Sequence, residues 1–174
     1  MGRPEELQAE ARSVLALLEP LGPITPTGSY VSGLLVWRDL DVMMLGGPEF
    51  SPADVVALLG KAVGIPGLTG FAYRDERGDQ GPDARHHVTL TVGDWRVDLS
   101  IWLHDDHAAA SQWHAGLAER LTDEERQAIL AIKSVWHSRP EYPGGFEVCT
   151  AVLEHGVRTA VDFGSWLRDT PQKR

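Results

Sequence analysis

Two alternating runs, HHVTLTV from His86 to Val92 and WRVDLSIWL from Trp95 to Leu103, flank the dipeptide Gly93-Asp94. Apolar side chains at every second position mark strands with one buried face, because successive side chains leave a strand on opposite sides. The two-residue Gly-Asp connection makes the pair a β-hairpin. A hairpin of this length is marginal alone, so its apolar face must be covered by other elements. The rest of the chain therefore has to supply further strands and a helical cover.

Those elements are readable in order. From about Pro4 to Glu19, Leu7, Ala11, Val14, Leu15 and Leu18 recur at helical spacing beneath a polar face. Pro20, Gly22, Pro23 and Pro26 stop that helix and leave room for a brief strand near Ile24. Asp39 to Leu45 reads as a strand with Asp39, Asp41 and Met43 on one side and Leu40, Val42 and Met44 on the other. Ser51-Pro52-Ala53-Asp54 opens a helix that ends at Gly64 and Pro66. A strand over Phe71 to Arg74 and a loop rich in glycine and charge lead into the hairpin. Beyond His104 the period turns helical: about Ala108 to Leu117, Thr122 to His137, Phe146 to His155 and Thr159 to Arg168, with a capping box at Thr122 to Glu125.

This order predicts an α+β fold, a mixed sheet with helices on one face followed by a carboxy-terminal helical layer. Residues 1–104 form the sheet region, and residues 105–174 form a helical region packed on it as one compact unit. The 174 residues suit one ordinary core. Sixteen Lys and Arg against 25 Asp and Glu, a net charge of −9, argue against a broad grip on duplex nucleic acid. One cysteine, Cys149, supports neither a disulfide nor a Cys-rich zinc site. With no apolar leader core and no run approaching the roughly 20 apolar residues of a membrane span, the expectation is a soluble cytoplasmic protein without membrane contact.

Asp39 and Asp41 share a strand face, an arrangement open to two readings: a solvated strand edge or a divalent-metal site. Buried neighbours favour the second, since adjacent carboxylates there repel unless a cation compensates. Asp98, inside the second hairpin strand, is also ambiguous between a salt bridge with Arg96 and a third metal ligand. On the metal reading its removal relieves repulsion in the metal-free protein. Three carboxylates from two strands are what a two-magnesium phosphoryl-transfer site needs. Upstream, the turn at Gly28-Ser29 offers amide and hydroxyl donors.

The stretch GSYVSGLLVWRDLD, followed by an apolar strand and later by RVDLS, resembles the DNA polymerase β-like nucleotidyltransferase superfamily. The matching motifs span Gly28 to Asp98. The resemblance implies that Gly28 and Ser29 hold a triphosphate and that Asp39 and Asp41 bind Mg²⁺, or Mn²⁺ in its place. It implies that Asp98 completes the second metal site and helps activate an acceptor hydroxyl. The tail LAIKSVWHSRPEYPGGFEVCTAVLEHG is similar to the helical region of CCA-adding enzymes and oligoadenylate synthetases, which implies that Lys133 approaches the phosphates. Those relatives carry Ser and Tyr after Gly-Phe, where this chain has Glu147, Val148 and Cys149. Without the resemblance, Lys133 reads as the solvated edge of a helix that buries Ile129, Ile132 and Trp136.

The implied activity is transfer of a nucleoside monophosphate from a nucleoside triphosphate such as ATP to a hydroxyl acceptor, with release of pyrophosphate. The acceptor would be a small molecule, a nucleotide or a protein. Two other readings are a catalytically quiet nucleotide- or partner-binding module of the same fold, and an aminoglycoside-type resistance or antitoxin adenylyltransferase.

Other clusters read as ordinary structure. His104-Asp105-Asp106-His107 has metal-ligand chemistry, but reads by default as a helix cap or polar loop. His86-His87 sends its two rings to opposite faces of a strand. No P-loop, dinucleotide fingerprint or serine-hydrolase elbow occurs. Cys149 and most of the six tryptophans read as core.

Overall fold

The computed structural model describes residues 3–78, 84–104 and 108–170, with side chains excepted over 108–111. Asp105, Asp106 and His107 of the acidic histidine cluster, and part of the glycine-rich loop, lie outside the described residues. The described residues divide into two compact units, 3–118 and 119–170. Among the described residues, no helix is long and apolar enough to cross a membrane.

The first unit is built on a five-stranded mixed sheet of order β1-β2-β5-β4-β3. Its strands are β1 (Thr25–Pro26), β2 (Asp39–Leu45), β3 (Leu68–Asp75), β4 (Arg85–Val92) and β5 (Trp95–Trp102). The hairpin forms as its sequence dictates: Val92 faces Trp95 across the two-residue turn, and Gly93 has φ +57°, a value a side chain would disfavour. β2 pairs with β5 in parallel, and the other neighbours pair antiparallel.

Strand alternation sorts the two faces. Leu40, Val42, Val88, Leu90, Val97, Leu99 and Ile101 are buried on one side. They join one apolar core with Leu7, Ala11, Val14 and Leu18 from the first helix segment and with Val55, Leu58 and Ala62 from the third. Those segments are α1 (Pro4–Leu17), with its continuation in a 3₁₀ turn at Glu19–Leu21, and α3 (Pro52–Ala62). Ser51 caps α3 in a reciprocal box with Asp54, which accepts from the Ser51 backbone N–H at 2.9 Å. The short α2 (Gly28–Ser32) follows β1 and ends at Gly33, whose φ is +69°. The opposite face carries Asp39, Asp41, His87, Thr89, Arg96 and Asp98, together with the apolar Met43 and Trp102.

The helices that follow are α4 (Ala108–Arg120), which runs across the division, α5 (Asp123–Trp136), α6 (Gly145–His155) and α7 (Ala160–Asp169). Within the second unit, Ile129, Ile132, Val148, Ala151, Val152 and Phe163 are buried. Trp136 meets Phe163 edge to face at 5.2 Å, and its Nε1 donates to the Ala160 carbonyl at 2.9 Å. Gly164 makes room for that indole, because an added Cβ would stand 2.9 Å from Trp136 Cζ2.

Leu99 is fully buried in the core face of the central strand, next in sequence to Asp98. Leu99→Ala is expected to lower stability by about 2–5 kcal/mol, the range for deleting a buried leucine side chain. Urea unfolding in chelator checks this, and a loss below 1 kcal/mol would contradict the described core.

Candidate active site

The polar face of the sheet gathers the three aspartates. Asp39 and Asp41 lie on one face of β2, and the parallel register sets Asp41 beside Asp98 of β5. One carboxylate oxygen from each of the three lies within 4.8 Å of the others, and all three residues are half-buried. The sequence expectation that Asp98 shares a face with the pair is met, because even-numbered β5 residues stand opposite the core set.

Gly28 completes one side. Its φ is +63°, and a Cβ built there would land on the Asp41 carboxylate. Glycine is required twice over, for the backbone conformation and for the space the acid occupies. The Thr27 N–H donates to the Asp41 carbonyl at 2.9 Å, which ties this turn to β2. Ser29 is half-buried in the first turn of α2, and its carbonyl accepts from the Leu34 N–H at 2.8 Å. Gln8 of α1 donates to the Tyr30 carbonyl at 2.9 Å and so braces the short helix against the first one.

Asp98 is the most heavily supported of the three. Thr89 Oγ1 donates to its Oδ1 at 2.8 Å, and His87 Nε2 lies 3.2 Å from the same oxygen. A carboxylate only accepts, so Nε2 carries the proton in that contact. Arg96 Nε lies 2.8 Å from Oδ2. Burial pushes the Asp98 carboxyl upward, but the hydrogen bonds from His87, Arg96 and Thr89 and the Arg96 charge outweigh it and hold the group down at about 2. Asp98 therefore pairs with Arg96, as the salt-bridge reading expects, and it also faces the other two acids. The expectation that its loss relieves repulsion is corrected, because its charged form is favoured even without metal.

His87 and Thr89 were not singled out from the sequence as partners of Asp98. The signal was present in the hairpin, whose two-residue turn fixes Thr89 opposite Asp98 and His87 two residues along on the same face. His86 points the other way and is fully buried, with Nε2 donating to the Phe50 carbonyl at 3.0 Å and Nδ1 accepting from Tyr73 Oη at 2.8 Å.

Lys133 belongs to the second unit and is placed in α5. Its burial, 2% exposed, corrects the reading of this residue as a solvated helix edge, whereas Ile129, Ile132 and Trp136 are buried as expected. Its Nζ sits near the start of α6, 3.8 Å from the position a Cβ on Gly145 would take. Cys149 is buried too, and burial pushes its thiol up to about 11, so it behaves as a small apolar residue.

No family model matches the chain, and no curated protein matches it. Solved structures do. The polymerase core of TRAMP, an RNA surveillance complex, superposes with a TM-score of 0.61 at 17% identity, covering 87% of this chain and 50% of that one. A structure of Cid1 concerned with RNA terminal uridylyl transferase activity gives 0.55 at 14% identity, covering 88% and 47%. The Cid1 poly(U) polymerase bound to Mg and 3′-dATP gives 0.50 at 15% identity, covering 75% and 40%. The chain thus spans half or less of the length of each of these three structures. At these identities the likeness establishes the fold alone: the chain shares the nucleotidyltransferase fold of these polymerase cores, and its sheet carries the aspartate triad.

Proposed function

We propose that the chain is a Mg²⁺- or Mn²⁺-dependent nucleotidyltransferase that moves a nucleoside monophosphate from a nucleoside triphosphate to a hydroxyl acceptor. The observation that carries this reading is the convergence of Asp39, Asp41 and Asp98 within 4.8 Å on adjacent strands, with Gly28 against Asp41. The donor set is all oxygen, which suits magnesium or manganese and not a thiolate-seeking metal. Two or more anionic groups drawn from two strands supply the negative charge such ions require.

In this reading Asp39 and Asp41 hold the metal ions and Asp98 completes the second site. Ions held by these carboxylates would supply charge neutralisation for the triphosphate and a lowered pKa for the acceptor hydroxyl. Gly28 lets the turn approach Asp41 closely, and the Ser29 hydroxyl holds phosphate oxygens. For Lys133 the reading as a phosphate-binding cation rests on the sequence resemblance of its helix alone. The acceptor oxygen attacks the α-phosphorus, a new P–O bond forms, and the bond to the departing pyrophosphate breaks. Asp98 orients the attacking hydroxyl by accepting its hydrogen bond, and the proton that the hydroxyl loses passes to solvent water. The acceptor is a small molecule, a nucleotide or a protein side chain, in keeping with the net charge of −9.

Incubating the protein with each of the four nucleoside triphosphates, Mg²⁺ or Mn²⁺, and acceptors of each class is expected to release pyrophosphate. Tight nucleotide binding with no release under any condition would overturn the catalytic reading in favour of a binding module.

Asp98→Asn is expected to abolish turnover and, in chelator at pH 7, to lower stability by about 2 kcal/mol. A carboxyl whose folded value lies below its unfolded one stabilises the fold above about pH 4, and that contribution disappears as pH falls through about 2. The gap between wild type and Asp98→Asn should therefore close over that range in urea melts. A gap that does not change with pH would contradict the charge assignment. For the turn, Ser29→Ala is expected to weaken calorimetric nucleotide affinity with little change in stability, because Thr27 and not Ser29 stands at the N-cap of α2. Gly28→Ala is expected to reduce both affinity and stability, because its methyl group displaces the Asp41 carboxylate.

A further inference from the structure

Arg96 stands between two of the three acids. Its Nε lies 2.8 Å from Asp98 Oδ2 and 3.8 Å from Asp39 Oδ1, and its Nη2 donates to Asp98 Oδ1 at 3.1 Å. The backbone sets this up: Arg96 pairs across the strands with Asp39 and shares a β5 face with Asp98 two residues on. Both Asp98 oxygens are engaged by the guanidinium, while His87 and Thr89 add donors on Oδ1 alone. Oδ1 already meets three donors, and an ion on either oxygen would stand beside the guanidinium charge, so strong ligation requires Asp98 to give up part of the arginine contact. The arginine side chain is 58% exposed and has a long flexible stem, so leaving requires no rearrangement of the sheet.

We propose that Arg96 is a resident cation of the aspartate triad, seated on Asp98 and Asp39, and that a divalent metal loads by exchange, displacing the guanidinium from these two acids. The inference rests on the metal-dependent reading above and adds to it a built-in competitor that compensates Asp98 and Asp39 in the unloaded protein and sets the metal affinity. His87 and Thr89 stay on Asp98 Oδ1 through the exchange and keep the carboxylate aimed. An arginine that merely aims Asp98 would have the opposite effect on metal binding, so the sign of one measurement separates the two roles.

Mn²⁺ titrated calorimetrically into the full chain, in wild type, Arg96→Gln, Arg96→Lys and Asp41→Asn, tests this. Arg96→Gln is expected to bind Mn²⁺ about tenfold more tightly than wild type, the factor for removing one charge-assisted contact that the metal must break. Its melting temperature in chelator should fall, and the rise on adding Mn²⁺ should exceed that of wild type. Arg96→Lys keeps a cation in place and should stay near wild-type affinity. Binding that Asp41→Asn abolishes but that Arg96→Gln leaves equal or weaker overturns the exchange and leaves the metal site standing. No Mn²⁺ binding by either wild type or Arg96→Gln overturns the metal-dependent reading itself.

Should Arg96→Gln fail to fold, the wild type carries the test. The ¹⁵N-detected Nε–H signal of Arg96, identified by its loss in Arg96→Lys, is expected to move to the position of an exposed arginine as Mg²⁺ saturates the protein. A signal unchanged at saturation refutes the exchange.

Discussion

Like charges on neighbouring strands are the constraint around which the polar face of this sheet is organised. Two carboxylates about 5 Å apart repel by about 3 kcal/mol at an effective dielectric near 20, and a third adds to the load. The remedy lies on the same two strands and the next one over. Arg96 spans Asp39 and Asp98, and Thr89 and His87 donate to Asp98 from β4. Asp98 is consequently anionic far below neutrality although it is largely buried. The apolar face does the opposite job: continuous burial of Leu40, Val42, Leu90, Val97 and Leu99 against α1 and α3 keeps the strands in the register that brings the acids together.

Much of this was legible in the sequence, for identifiable reasons. Alternation and a Gly-Asp turn located the hairpin, and periodic apolar residues with proline or glycine stops located the helices. β2 runs over Asp39–Leu45 as its alternation indicates, and each carboxy-terminal helix lies within a few residues of its expected span. β3 extends further than Phe71 to Arg74 because pairing with β4 recruits Leu68 to Gly70, whose sequence gives little strand signal. The triad was readable because three acids interrupt apolar strands, and the turn because glycine and serine precede the acids.

What local pattern could not disclose is pairing between distant segments. Nothing in the sequence of β2 says that it lies beside β5, so the meeting of Asp41 with Asp98 depended on a family resemblance and not on spacing. Lys133 shows a second limit. Amphipathic periodicity assigns a lysine to the wet side of a helix, yet here the second unit folds around it. His87 and Thr89 were within reach of register arithmetic, but a histidine and a threonine on a strand carry no mark that distinguishes them until the residue opposite is known to matter.

The parallel pairing of β2 with β5 also orders the events by which the chain reaches this state. The β4–β5 hairpin closes a two-residue turn and carries Thr89, His87, Arg96 and Asp98 together, so one acid meets its counter-charges at little entropic cost. β2 joins β5 across a long intervening segment, which makes its docking the entropically dearer contact. On this sequence of costs, Asp39 and Asp41 arrive at a strand where the guanidinium is already seated. The nascent chain is thereby spared an encounter between three uncompensated anions, and the arginine serves assembly before it serves anything else.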